Sequence, residues 1–73
     1  MQAIYTIELA GHLDRRWASA LGGLRVSHQI GPEQRPITVL RGPLADQAAL
    51  YGLLNQLRDL GATLISLRAE GPG

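Results

Sequence analysis

The stretch from Gly42 to Gly61, Gly42-Pro43-Leu44-Ala45-Asp46-Gln47-Ala48-Ala49-Leu50-Tyr51-Gly52-Leu53-Leu54-Asn55-Gln56-Leu57-Arg58-Asp59-Leu60-Gly61, carries both a start and a stop for one amphipathic helix. Leu50, Leu53, Leu54, Leu57 and Leu60 fall at i, i+3, i+4, i+7 and i+10, which draws a single apolar stripe. Asp46 is placed to cap the first turn and Gly61 to take the left-handed position beyond the last. The pattern predicts a helix from Ala45 or Asp46 to Leu60. Such a stripe needs a sheet or a second helix against it, so this segment constrains the architecture more than any other. It leaves the function open.

The rest of the chain supplies a sheet. Ala3 to Leu9 alternates, with Tyr5, Ile7 and Leu9 on one face and Ile4, Thr6 and Glu8 on the other. Gly11-His12-Leu13-Asp14 reads as a loop ending in a helix cap at Asp14, and Arg15 to Leu21 as a short helix with Trp17 and Leu21 on one face. Gly22-Gly23 ends it. Leu24 to Ile30 alternates again, with Leu24, Val26, His28 and Ile30 on one face. Gly31 to Arg35 is a turn, and Pro36 to Arg41 a strand of ambiguous parity, because Ile37, Val39 and Leu40 are all apolar. Gly42-Pro43 reads as its end. Thr63 to Ala69 is a last strand with Ile65 and Leu67 toward the core, and Glu70 to Gly73 a frayed tail.

The order β-α-β-β-α-β in one domain, residues 1–73, predicts an α+β class protein: a ferredoxin-like βαββαβ sandwich, with two helices on one face of a four-stranded antiparallel sheet. A less regular α+β arrangement with a shorter or missing first helix is the alternative. In the sandwich the first and third strands are central, and one sheet face stays uncovered. Ile4, Thr6 and Glu8 would lie there beside either Ile37, Val39 and Arg41 or Thr38 and Leu40, with further arginines at the rim. An apolar centre with a polar rim is the pattern of an interface; scattered aliphatics on a solvated face are the plainer reading.

Composition narrows the classes of function. The chain has 73 residues, no cysteine, and a net charge of +1. The missing cysteine removes thiolate, cysteine–zinc and iron–sulfur chemistry and points to the cytoplasm. The near-neutral balance argues against a duplex nucleic-acid partner. Apolar runs are too short to span a membrane. A domain of this size buries only roughly 60% of its unfolded surface, so self-association is a ready source of further buried area.

Few residues invite chemistry. His12, Asp14, Arg15 and Arg16 cluster at the first loop and could hold a small ligand, with His12 and Asp14 as an acid–base pair. Otherwise Asp14 is a cap, His12 a loop residue and the arginines solvated. His28 stands on an apolar face and could join His12 toward a metal, but no ligand spacing supports this, and a hydrogen-bonded edge histidine is the simpler assignment. No nucleophile, phosphate loop or metal motif appears, and no cofactor is expected. Trp17, Tyr5 and Tyr51 read as core. RNA recognition by stacked aromatics is disfavoured, since the central-strand positions hold Ile4, Thr6, Ile37 and Val39.

The residues Gly11-His12-Leu13-Asp14-x-x-Trp17, Gly23-Leu24-x-Val26-x-His28, and Leu40-x-Gly42-Pro43-Leu44-x-Asp46-Gln47-Ala48-Ala49-Leu50-x-Gly52-Leu53-Leu54 with Leu57-Arg58-Asp59-Leu60-Gly61 resemble a family of short, stand-alone, uncharacterised bacterial proteins of about this length. The resemblance covers nearly the whole chain and implies a single cytosolic domain, with no activity to carry over. The expectation is a non-enzymatic interaction or regulatory module, homodimeric, through the open face (Ile4, Thr6, Ile37, Val39, Arg41) or the edge strands. It would bind itself or another protein. The alternatives are a metabolite sensor holding its ligand at a dimer edge near residues 11–16, or, third, a small enzyme using His12.

Overall fold

The computed structural model describes residues 3–14, 16 and 23–70. In chain order these form β1 (Ala3–Ala10), β2 (Arg25–Ile30), β3 (Pro36–Leu44), α1 (Gln47–Asp59) and β4 (Thr63–Glu70). The architecture is a small α+β domain with one four-stranded antiparallel sheet, ordered β2-β3-β1-β4, and one helix among the described residues. The expected first helix, Arg15 to Leu21, lies outside the described residues apart from Arg16.

The helix obeys its end signals. The Asp46 carboxylate accepts a 2.8 Å hydrogen bond from the Ala49 amide, and Gly61 takes φ +78°. Only Leu50, Leu53 and Leu57 of the stripe are fully buried. They rest on Tyr5, Ile7 and Leu9 of β1 and Leu40 and Leu44 of β3, together with Leu24. Tyr51, expected in the core, is instead 61% exposed, because it lies one step round the helix from Leu50.

Register with β1 resolves the parity of β3. Leu40 pairs with Ile7 and Thr38 with Leu9, so Thr38 and Leu40 face the helix while Ile37, Val39 and Arg41 take the other face. β3 also runs through Gly42-Pro43 to Leu44, past the expected break. Beyond Arg41 it pairs with β1 alone, and a one-sided ladder is where a strand tolerates proline. Gly42 packs closely on Leu24: a Cβ there would lie 2.7 Å from Leu24 Cδ2 and push that methyl aside.

The last strand departs from expectation. No residue of β4 is buried. Leu67 pairs with Ile7 on the helix side yet is 38% exposed. Between Glu8 and Leu9 the register shifts, so Ile65 is an extra, unpaired residue in a β-bulge, half in solvent. Among the described residues, this edge strand lies beyond the reach of α1 and has nothing above it.

The β2–β3 hairpin closes with a strained turn. Arg35 N–H donates to Pro32 C=O at 3.2 Å, and Glu33 and Gln34 sit at φ 59° and 58°. Two successive positive φ values mark a type I′ turn, which favours Asn-Gly. Left-handed geometry costs an ordinary residue roughly 1 kcal/mol. Gln34→Gly is therefore expected to raise stability by about 1 kcal/mol; an unchanged or lower midpoint in chemical denaturation would show that the turn is unstrained. Leu57→Asp, which buries an unpaired charge, is expected to abolish the cooperative melt seen by circular dichroism, whereas Tyr51→Asp on the exposed side of the same helix keeps it.

Candidate functional site

Thr38 organises the loop that follows β1. Its side chain is completely buried. Thr38 Oγ1 accepts from the Leu13 amide at 2.8 Å and donates to the Gly11 carbonyl at 2.7 Å. The Gly11 amide donates to the Pro36 carbonyl at 2.8 Å. One hydroxyl thus satisfies both a donor and an acceptor of a loop that has no ladder partner of its own.

The two histidines meet on this loop. His12 and His28 stack with ring centroids 4.5 Å apart and planes 12° from parallel. His28 Nε2 donates to the Leu13 carbonyl at 2.7 Å, and His12 Nε2 donates to the Gln29 carbonyl at 3.2 Å. A carbonyl only accepts, so each Nε2 carries a proton in these bonds. Stacked rings, each turned to a backbone carbonyl, do not converge on a common point. Among the described residues no group of three or more His, Asp or Glu is placed to hold a metal. The His12 contact ties the loop after β1 to the backbone of β2.

Asp14 bonds locally as well. It accepts from the Arg16 amide at 2.9 Å and from the Arg16 guanidinium at 3.0 Å from Nε and 2.9 Å from Nη2. The backbone N–H first, and the guanidinium second, hold its carboxyl below the usual range. Arg15 lies outside the described residues. The described polar groups of the 11–16 cluster are therefore turned on one another and on the sheet.

The other sequence-selected residues share the sheet face away from α1. Ile4, Thr6, Ile37, Val39 and Arg41 all lie there, as the pairs Ile4↔Pro43, Thr6↔Arg41, Glu8↔Val39 and Ala10↔Ile37 require. The middle of this face is more polar than expected. Arg41 Nη2 reaches from β3 across β1 to Glu70 on β4 at 3.1 Å, and Ser66 donates to Glu8 at 2.7 Å. Arg41 thus bridges the middle of this face. Two cavities of about 340 Å³ open on this face, and Arg41 lines both.

A third feature escaped the sequence reading. β4 is an eight-residue edge strand carrying Leu64, Ile65 and Leu67, all more than a third exposed. Among the described residues, β4 has no strand partner on its outer side. The signal was hidden, since Ile65 and Leu67 look like core when the bulge and the reach of the helix are unknown. Among the described residues, no helix is long and apolar enough to cross a membrane.

Thr38→Val keeps the shape of the side chain and removes both loop bonds. It is expected to destabilise the domain by about 1–3 kcal/mol, while Thr38→Ser loses much less. Equal midpoints for the Val variant and the wild type in urea would show that the loop does not depend on this hydroxyl.

A family model described as Domain of unknown function (DUF8691) matches residues 4–68. No curated protein and no solved structure matches the chain.

Proposed function

The chain belongs to the DUF8691 family, and from its own surfaces we propose that it is a non-enzymatic interaction module that acts as a homodimer, with β4 of one copy pairing with β4 of the other. The observation that carries this reading is the exposure of β4: none of its residues is buried, and three of the exposed ones are large aliphatics. A bare edge of this kind is a template for strand addition. The opposite edge strand, β2, carries the loop after β1, tied to it through His12 and His28.

Size supports the same reading. Eight residues at roughly 3.3 Å each give an edge of about 26 Å, and pairing two such edges makes one continuous sheet of eight strands. Each aliphatic that passes from half-exposed to covered contributes on the order of 1 kcal/mol. Twofold symmetry lets one patch serve twice. The fuller architecture that fits is the ferredoxin-like βαββαβ sandwich with Arg15 to Leu21 as its first helix. Two features support it: the order β2-β3-β1-β4, and the parallel pairs β1/β2 and β3/β4, each with one strand between them. The cysteine-free composition supports a cytoplasmic setting in this reading.

Light scattering at micromolar concentration tests the proposal. The wild type is expected at twice the chain mass, and Leu67→Glu at the chain mass with unchanged circular dichroism. Val39→Glu, on the open face, is expected to remain dimeric. A monomeric wild type rejects self-association. A dimer that survives Leu67→Glu but is lost in Val39→Glu moves the interface to the open sheet face.

A further inference from the structure

The open face holds a charge arrangement that the isolated fold does not resolve. Arg25 on β2 lies directly opposite Arg41 on β3, and like charges in directly opposed strand positions repel. Thr6 and then Arg68 continue the same row on β1 and β4. The described arginines otherwise have carboxylate partners: Arg16 with Asp14, Arg35 with Glu33, Arg58 with Asp59, and Arg41 with Glu70. Among the described residues, Arg25 and Arg68 form no ion pair, and they are the two that flank Arg41 in this row.

The Arg25–Arg41 pair borders one of the two open-face cavities, about 340 Å³, lined by Ile4, Gly23, Arg25, Arg41, Gly42 and Pro43. No carboxylate lines it. Arg41 commits Nη2 to Glu70 on the far side of β1, and a guanidinium has five N–H donors in a planar fork. Ile4 and Pro43 give the cavity an apolar wall. Its volume is at the lower end of small-molecule sites.

We propose that this cavity binds the oxyanion of a small molecule, a phosphate monoester or a carboxylate, bridged between Arg25 and Arg41 with the apolar part of the ligand against Ile4 and Pro43. A shared anion turns the repelling pair into two charge-assisted contacts. The site is independent of the β4 edge and stands or falls apart from the dimer.

Titration of the ¹⁵N-labelled full chain with inorganic phosphate, and separately with acetate, tests it by amide chemical shifts. Saturable shifts are expected at Gly23, Arg25, Arg41 and Gly42. Arg25→Gln is expected to weaken binding about tenfold, while Arg58→Gln leaves it unchanged. Arg25→Gln is also expected to raise the melting temperature of the ligand-free protein at low salt and to reduce the further rise on adding phosphate. Saturation by phosphate alone assigns the phosphate source, and saturation by acetate alone the carboxylate source; either supports the site. No saturable shift with either anion, or equal shifts at Arg35 and Arg58, overturns it, as does an Arg25→Gln protein that binds as the wild type does.

Discussion

The described fold depends on one cross-strand row, Val26–Leu40–Ile7–Leu67, and on how much of it the helix α1 covers. Leu40 and Ile7, on the central strands, are completely buried; Leu67, on the β4 edge, is not. The chemistry along the row is uniform, so the gradient is geometric. A helix is about 10–12 Å across with its side chains, while four strands at about 4.8 Å spacing are wider. The helix α1 seals the sheet over β3 and β1, and the apolar face continues past its shadow onto β4. Folding therefore completes the core and leaves an uncovered margin in the same step.

The two edges are treated differently. At β2 the loop after β1 folds back onto the strand, tied by Thr38 and by the stacked His12 and His28. The two histidines hold this loop against β2. At β4 the features that blunt an edge are a bulge at Ile65 and the charges of Arg68 and Glu70. The bulge leaves Ser66 to Glu70 in regular register with β1, an unbroken stretch of strand beside the exposed aliphatics.

Much of this was legible in the sequence. The helix stripe, its Asp46 cap and its Gly61 stop are local signals, and each appears where expected. Strand alternation in β1 and β2 was equally local. What escaped needed long-range information. The facing of β3 was undecidable while Ile37, Val39 and Leu40 were all apolar, and only the pairing of Leu40 with Ile7 settled it. Gly42-Pro43 looked like a break because the strand's one-sided ladder there is a property of the sheet. The opposition of Arg25 and Arg41, and the contact of His12 with His28, join positions whose distance along the chain carries no hint of adjacency.

Amide hydrogen exchange of β4, read residue by residue at two protein concentrations, tests the central claim that this edge is completed by a second copy. The account expects protection of amides between Ser66 and Glu70 to increase with concentration, while the amides of β1 and β3 are equally protected at both. Concentration-independent exchange along β4, or protection that grows on β2 instead, would contradict it.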